Sequence, residues 1–457
     1  MIGCNPPSIL VDARGLYVLS LLLHFPRFYV SCLHIPFSRF AVAMALSLQR
    51  YTWSDFSSGL HPLLKERIKK GLERSKLVSI AIKNGDRLPE NLLIEILSWL
   101  PVKDVLQYKS VCKSWYAIIS SPQFISKHLK NNRVYDENCL LAQYYVSHAE
   151  LQLFELLVDE GLRVLGHEVL YGMPMYGSYV CGPCDGLYYL YEYDFSGRAL
   201  WNPAINELKT LPPIIEKPDP PANTTYAKSE VYGFGVDPKT GDYKVVVIKG
   251  YWSTNDEDVS YPLSVLVYSL KTNTWKYCGD LAREYNLENN KCYVFVKGCC
   301  FWTESYSQDD ENSEAIISFD MATDSFQEIH VPDYQQPASK CLGMFDDSLA
   351  FFSVHDDEKN LDVWTLNQGI WTKKFSIGPF PEVQNPVGHW NGNKVLLECE
   401  GRKLALCDPS TQEIKDLGFE RDLSCQGIFA YMESLVSIKH KTESNEGEEI
   451  EANVVDV

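Results

Sequence analysis

The segment LPENLLIEILSWLPVKDVLQYKSVCKSWYAIISSPQFISKHL, residues 88–129, marks the point where a helical pattern gives way to a β pattern. Its first apolar residues follow the spacing i, i+1, i+4, i+5 and i+8, and they are Leu92, Leu93, Ile96, Leu97 and Leu100. This spacing places them on one face of a helix. Pro89 suits a first helical turn, where its missing N–H removes no hydrogen bond, and Pro101 stops the helix. We therefore predict a short helix between the two prolines.

Two more short apolar faces follow in the same segment. They consist of Val102, Val105 and Leu106, and then of Val111, Cys112, Trp115 and Ile118. A unit of roughly 40 residues buries too little surface for a stable core of its own. We therefore expect a partner protein to cover the surplus apolar surface, with Trp115 as an aromatic anchor. Periodicity leaves one alternative open, in which these helices pack on the chain's own β-rich part.

Three motifs in this segment resemble the F-box, namely residues 88–97 (LPENLLIEIL), 100–103 (LPVK) and 111–115 (VCKSW). The resemblance covers all of residues 87–129. F-box proteins dock through this module onto a Skp-type adaptor, which links them to a cullin–RING ubiquitin ligase. Carried over position by position, the resemblance implies that the adaptor-facing residues are Leu88, Pro89, Ile96, Leu97, Pro101, Val102, Leu106, Val111, Cys112 and Trp115.

After residue 139, strand-like runs alternate with turn signals up to about residue 440. One kind of segment has a turn followed by an aromatic-rich strand, at residues 182–189, 297–302, 345–352 and 389–397. The other is a hairpin whose turn is marked by Asn202, Asp237, Ser269, Asp320, Thr365 and Asp408. Successive marks lie 32 to 51 residues apart, which is typical of propeller blades with variable loops. We predict a β-propeller with an open number of blades, in which Trp275, Phe326 and Trp371 are packing residues.

The expected fold class is α+β with segregated domains, a small all-α F-box followed by a large all-β propeller-like domain. The boundaries follow from these patterns. Residues 1–86 form an N-terminal extension, largely unstructured or a helical leader, and residues 87–130 form the F-box. Residues 139–440 form the β domain, and residues 441–457 form an acidic disordered tail.

The β-rich part also resembles a known family, the plant F-box-associated domain, which is described as kelch-like. The motifs are GPCDGL at 182–187, WNPA at 201–204, GFGVD at 233–237 with DYKVV at 242–246, and VYS at 267–269 with Trp275. Together with ISFD at 317–320 and FQEI at 326–329, they look closest to S-locus F-box proteins. That resemblance implies a basic ribonuclease as the target and ubiquitination as the outcome.

The net charge of −18 bears on the choice of partner. A duplex nucleic-acid binder needs basic faces, so nucleic acid is not an expected partner. An acidic chain favours basic proteins, because opposite charge speeds their encounter. Target contacts are expected on the insertions 214–229, 253–261, 303–314 and 355–360. Their acidic candidates for cargo binding are Asp256, Glu257, Asp258, Asp309, Asp310 and Glu311, although solvated spacer loops would have the same composition.

The sequence contains no constellation that nominates a reaction. Motifs such as GxxxxGK[ST], HExxH and GxSxG are absent, and Gly233 and Gly235 precede a strand-like run instead of a helix. Cys181 and Cys184 form one CxxC without a second pair, so no metal site and no cofactor is expected. No uninterrupted apolar run reaches about 18 residues, which argues against a membrane-spanning helix. Reduced buried thiols favour the cytoplasm or the nucleus.

The resemblances favour a non-enzymatic substrate receptor of a ubiquitin ligase. A stable binding scaffold that does not promote degradation of its ligand is the alternative of a different class. An enzyme built around the propeller channel is a third, and it has no supporting set of residues.

Overall fold

The structure, a computed structural model, describes residues 90–133, 139–146, 151–158, 163–169, 178–192, 197–214, 224–253, 262–281, 285, 293–304, 315–333, 339–355, 360–380, 383–390, 394–420 and 425–439. The N-terminal extension predicted at 1–86 and the acidic tail predicted at 441–457 lie outside these ranges.

Within the described ranges four helices come first, and their bounds are α1 Glu90–Leu97, α2 Val102–Tyr108, α3 Lys113–Ile119 and α4 Pro122–Arg133. Pro101 directly precedes α2, as its fixed backbone angle requires. Ser121, in the break before α4, caps that helix, because its hydroxyl accepts a hydrogen bond from the Phe124 amide at 3.2 Å. The predicted helical module is therefore present, with a fourth helix that continues to Arg133.

Six antiparallel four-stranded sheets follow, and they form the blades of a β-propeller. Blade 1 contains β24 Cys425–Ala430, β1 Cys139–Val146, β2 Leu151–Val158 and β3 Arg163–Val169. Blade 2 contains β4 Ser178–Cys184, β5 Leu187–Glu192, β6 Arg198–Asn202 and β7 Glu207–Thr210. Blade 3 contains β8 Thr224–Val236, β9 Tyr243–Ser253, β10 Ser264–Ser269 and β11 Thr274–Asp280. Blade 4 contains β12 Tyr293–Val296, β13 Cys299–Thr303, β14 Ala315–Asp320 and β15 Ser325–His330. Blade 5 contains β16 Ser339–Phe345, β17 Ser348–Val354, β18 Leu361–Asn367 and β19 Ile370–Ile377. Blade 6 contains β20 Val383–Trp390, β21 Lys394–Cys399, β22 Lys403–Asp408 and β23 Glu413–Glu420.

The two ends of the β domain meet in blade 1. Strand β24 pairs antiparallel with β1, in a register that places Leu140 opposite Ala430. Because the last strand of the chain completes the first blade, this pairing closes the ring and leaves fewer exposed sheet edges.

One predicted repeat position is wrong. Asn202 and Ser269 end the third strand of their blades, but Asp237 lies between β8 and β9, the first two strands of blade 3. Asp237 and Ser269 therefore belong to the same blade. The Asp237 side chain accepts hydrogen bonds from the amides of Lys239 and Thr240. Since this turn chemistry suits any tight hairpin, it does not reveal which pair of strands the turn joins.

Tryptophan side chains connect neighbouring blades. The indole N–H groups of Trp275, Trp302 and Trp371 donate to the carbonyl oxygens of Pro212, Tyr232 and His330, at 2.8, 2.9 and 2.7 Å. Each bond runs from one blade to the blade before it, which confirms the packing role expected of Trp275 and Trp371. A buried indole N–H without an acceptor would destabilise the fold, so these bonds also fix how the blades pack.

Gly233 and Gly235 serve the same packing. A Cβ atom on Gly233 would lie 2.6 Å from the Trp302 ring, and one on Gly235 would lie 2.3 Å from the Phe295 ring. Side chains at these two positions would displace the aromatic rings of blade 4. Close packing of aromatic residues explains these glycines without any phosphate site.

Residues 431–439 leave β24 without regular structure and pass along blade 2, and we call them the C-terminal strap. The buried Asn202 amide donates to the carbonyl oxygens of Ser434 at 3.1 Å and Val436 at 2.8 Å. The Glu207 carboxylate accepts from the Ile438 amide at 2.9 Å. The strap is therefore held by backbone hydrogen bonds as well as by the buried side chains of Leu435 and Ile438.

A glycine is required where blade 2 meets the strap. Gly186 has φ +77°, and a Cβ atom there would lie 2.5 Å from the Met432 carbonyl oxygen. Gly241 has a similar φ of +65° but open space around it. We predict that Gly241→Ala costs about 1–2 kcal/mol of unfolding free energy through backbone strain. Gly186→Ala should cost about 1–3 kcal/mol more through overpacking.

Urea unfolding of the two variants and of the unmodified chain measures this difference. Equal midpoints for Gly186→Ala and Gly241→Ala would show that the strap does not press on this turn.

Candidate docking surface of the helical module

An exposed apolar surface lies where α2 is followed by α3. Val111 and Tyr116 are 48% and 59% exposed, which is unusual for large apolar side chains, and Cys112 beside them is also exposed. A groove of about 390 Å³ is lined by Lys109, Ser110, Cys112, Lys113 and Tyr116. We call these groove residues, together with Val111, the docking surface.

Two half-buried aromatic rings pack against each other next to the docking surface. The rings of Tyr108 and Trp115 pack edge to face, with centroids 5.5 Å apart and planes at 71°. Burial raises the pKa of the Tyr108 hydroxyl, and the nearby Asp104 charge raises it further. Tyr108 therefore stays neutral, and Trp115 stays only partly covered by its own chain.

The structure separates the predicted adaptor-facing residues into groups. Leu97 and Val102 are 2% and 0% exposed and belong to the core of the chain itself. Pro101, Leu106 and Trp115 are half-buried, whereas Val111 and Cys112 are exposed. Leu88 and Pro89 lie outside the described residues, and the structure describes only the backbone of Ile96. For all ten predicted residues, a role in binding an adaptor stays a prediction.

Tyr116 was missed by the sequence analysis. It lies on α3 one position after Trp115, and its exposure makes it the largest uncovered ring of the module. The available signal was its helical spacing from Cys112, which places both residues on one side of α3.

The other side of the module is attached to the β domain through the strap. The Glu433 carboxylate accepts a hydrogen bond from the Val102 amide at 2.8 Å, and the Glu433 carbonyl accepts from the Asn132 amide group at 2.9 Å. The buried His128 ring lies between Leu100 and Asn132, donating from Nε2 to the Leu100 carbonyl and accepting at Nδ1. Helix α2 also packs on the short 3-10 helix Pro203–Ile205.

The alternative in which the helices pack on the chain's own β-rich part is confirmed for one side of them, and cover by a partner protein stays a prediction for the other side. One side packs on the chain's own β domain, and the docking surface of α2 and α3 stays uncovered. This division explains how a unit too small for its own core still leaves apolar residues exposed.

The electrostatics at this junction include one perturbed lysine. Partial burial lowers the pKa of the Lys109 ammonium, and the charge of Glu207 opposes that shift. Glu207 is the same carboxylate that holds the strap at Ile438. The docking surface therefore begins next to the end of the strap.

The described strands that flank the predicted cargo insertions end on the opposite face of the propeller. In blade 2, the turn at Gly186 and the 3-10 helix Pro203–Ile205 lie on the face that carries the helices. Strands alternate in direction, so the connections from second to third strands and between blades lie on the other face. Residues 214–229, 253–261, 303–314 and 355–360 are all such connections.

One of these insertions is not simply a loop. Strand β8 begins at Thr224 and pairs with β9, with Thr224 opposite Ser253 and Thr225 opposite Trp252. The prediction of a loop over 214–229 is therefore wrong for residues 224–229. A strand whose partner lies 21 to 29 residues away in sequence cannot be recognised from its own composition alone. Asp256, Glu257, Asp258, Asp309, Asp310 and Glu311 lie outside the described residues.

A cluster of aromatic and charged residues reaches this opposite face between blades 2 and 3. The Arg198 guanidinium donates to the buried Glu230 carboxylate at 2.8 Å, and the Tyr232 hydroxyl donates to the same carboxylate. Tyr191 stacks on Tyr232 and on Tyr179, whose ring is 38% exposed. Burial raises the pKa of the Tyr191 and Tyr232 hydroxyls, so both remain protonated hydrogen-bond donors.

The paired cysteines predicted to lack a metal lie inside the propeller. Cys181 and Cys184 are both buried in blade 2. Among the residues that the structure describes, no group of His, Cys, Asp and Glu side chains is arranged to hold a metal ion. No helix in the described ranges is long and apolar enough to cross a bilayer.

Comparison with known proteins agrees with this architecture. Residues 172–438 match the F-box associated beta propeller domain, and residues 86–127 match the F-box domain. The F-box protein CPR1 of Arabidopsis thaliana is 24% identical over 404 residues, covering 80% of this chain and 95% of that protein. The F-box/WD-40 repeat-containing protein 1 of the same plant is 26% identical, covering 70% and 78%. A crystal structure of a nidogen/laminin complex aligns with a TM-score of 0.40 at 12% identity, covering 64% of this chain and 97% of that one.

The attachment of the module by Glu433 is testable. Removing the carboxylate in Glu433→Ala leaves the Val102 amide without its charged acceptor, which should cost about 1.5–3 kcal/mol. Glu433→Gln keeps an oxygen acceptor and should cost less. Amide hydrogen exchange is expected to quicken at the start of α2 in the alanine variant.

Glu413, an exposed glutamate of β23, provides the matched control as Glu413→Ala. Unchanged exchange across α2 in Glu433→Ala would contradict the proposed attachment.

Proposed function

The chain belongs to the F-box proteins that carry an F-box-associated β-propeller, and we propose that it is the substrate-recognition subunit of a Skp/cullin/F-box ubiquitin ligase. In this role the helical module binds a Skp-type adaptor, and the propeller binds the protein to be ubiquitinated. The observation that carries the proposal is the uncovered docking surface on an otherwise packed module. Ubiquitin transfer is then the work of the ligase partners, and this chain supplies proximity.

The adaptor interface is proposed to centre on Val111, Cys112 and Tyr116. A ring at the centre of an interface gives much of the binding energy when water is excluded from it. Tyr116 is large, aromatic and 59% exposed, so it has most to gain from burial. Trp115, the residue before it on α3, is half-buried against Tyr108 and is proposed to lie at the edge of the same interface.

The target is proposed to bind the face opposite the helices. The strands that flank the four insertions end there, and the Tyr179–Tyr191–Tyr232 cluster supplies a partly exposed aromatic patch. Placing target and adaptor on opposite faces leaves both accessible at once. A basic protein is the expected class of target because of the net charge of −18, and a ribonuclease is the target that the S-locus resemblance predicts.

The cytoplasm, the nucleus or both are the proposed location, since the cullin–RING partners implied by the F-box operate there. A stable scaffold that binds its ligand without promoting its degradation remains the second candidate function. The half-life of a bound target, measured with and without this chain, separates the two.

Adaptor binding gives the first test. The double variant Val111→Glu/Tyr116→Glu places charge in the apolar centre of the docking surface and should weaken adaptor binding by about 30-fold or more. Ile370→Glu is the matched control, because Ile370 is 69% exposed on β19 of the propeller and should have no effect. Isothermal titration with a purified Skp-type adaptor measures both.

Substitution at the buried Leu97 would confound this test by unfolding the module, whereas Val111 and Tyr116 are exposed. No measurable binding by the unmodified chain, or equal binding by the double variant, would contradict the proposed interface.

Target binding gives the second test. Neutralising Asp256, Glu257, Asp258, Asp309, Asp310 and Glu311 to the corresponding amides should remove basic proteins from the set captured by affinity purification and mass spectrometry. Adaptor binding should stay unchanged, because the strands that flank these residues end on the face opposite the helices. An unaltered set of captured proteins would show that the six carboxylates are solvated spacers.

A further inference from the structure

The docking surface is locally basic although the whole chain is acidic. Lys109 and Lys113 line its groove, and Lys113 is exposed, as is Lys103 in the first turn of α2. Two carboxylates lie near these lysines: Asp104 is half-buried and acts on Tyr108, and Glu207 acts on the half-buried Lys109, so Lys113 keeps an exposed charge without an acidic neighbour in α3. An acidic and partly apolar segment would therefore complement this surface in charge and in hydrophobicity.

The chain's own C-terminal segment has this composition and starts nearby. Ile438, one residue before the last described residue, is held by Glu207, whose charge acts on Lys109 of the groove. The eighteen residues that follow, 440–457, carry one lysine, Lys441. Their acidic residues are Glu443, Glu446, Glu448, Glu449, Glu451 and Asp456, and their apolar residues include Ile450, Val454, Val455 and Val457.

Residues 440–457 are long enough to reach the groove. A fully extended segment of this length spans up to about 60 Å, whereas its starting point is already beside the groove. Because the segment is tethered, its effective concentration at the groove is on the order of millimolar, so even a weak contact would be occupied.

We propose that residues 440–457 bind back onto the docking surface, with their glutamates beside Lys109 and Lys113 and their apolar residues over Val111 and Tyr116. The bound tail competes with the adaptor for this surface, and this competition rests on the proposed function. The chain thus protects its own exposed apolar surface until an adaptor displaces the tail. Salt weakens the contact, because exposed ion pairs are screened.

Cys112 offers a readout that needs no adaptor. Its thiol lies in the groove and is exposed in the described structure, so a bound tail should slow its alkylation by iodoacetamide. Site-resolved mass spectrometry follows Cys112 in the full chain, in Glu448→Gln/Glu449→Gln, and in the control Glu400→Gln/Glu413→Gln. The control removes the same charge from exposed positions of blade 6.

At about 0.05 M salt we expect Cys112 to react about two- to tenfold faster in the tail variant than in the unmodified chain or the control. The difference should vanish near 1 M salt, where the Debye length is about 3 Å. Carbodiimide cross-links between tail glutamates and Lys109 or Lys113 should appear in the unmodified chain. Adaptor affinity at low salt should rise in the tail variant by a similar factor.

Equal alkylation in all three proteins would overturn the proposal, as would tail cross-links spread evenly over the lysines of the propeller. Protection of Cys112 that is lost on dilution would also overturn it, because a second copy of the chain would then be the occupant. If Cys112 responds as expected but no form binds an adaptor, the tail contact stands and the ligase role falls. If the adaptor binds all forms equally and Cys112 is unprotected, the ligase role stands and the tail contact falls.

Discussion

The arrangement of this protein depends on one residue of the strap, Glu433, which contacts two helices at once. Its side chain accepts from the first turn of α2, and its backbone carbonyl accepts from Asn132 near the end of α4. The strap itself is fixed to blade 2 by Asn202 and Glu207. A module with little core of its own therefore obtains a definite position relative to the propeller from a short set of hydrogen bonds. The proposed receptor role would use such rigidity, because transfer chemistry depends on how closely two proteins are held.

Within the propeller, neighbouring blades are held by polar contacts embedded in apolar packing. The Trp302 indole N–H donates to the Tyr232 carbonyl and passes over Gly233. The Lys244 ammonium donates to the Met321 carbonyl and to Asp324, across the boundary between blades 3 and 4. Each contact satisfies a group that would otherwise be costly to bury. Such contacts specify the blade order more sharply than hydrophobic burial alone, since they require particular donors and acceptors to face each other.

Local pattern was enough to predict the parts of the fold that local chemistry determines. The apolar spacing from Leu92 to Leu100 and the prolines beside it predicted a helix, and the aromatic strands predicted blades. Features set by distant partners were not predictable in this way. The pairing of β24 with β1, the extension of β8 along β9 and the role of Asp237 each depend on residues far away in sequence. The docking surface shows the same limit, because the spacing that groups Val111 with Trp115 does not tell that Trp115 packs on Tyr108 whereas Val111 stays exposed.

Ring closure by the last strand has a consequence for biosynthesis. As the polypeptide emerges from the ribosome, the helices and blades 2 to 6 are complete before residues 425–439 exist. Until then blade 1 lacks β24, and the helices lack the carboxylate that anchors α2. Nascent molecules thus carry an open sheet edge and an unattached module, two features that attract chaperones and favour aggregation. Premature termination anywhere upstream of Cys425 would leave the molecule in that state permanently.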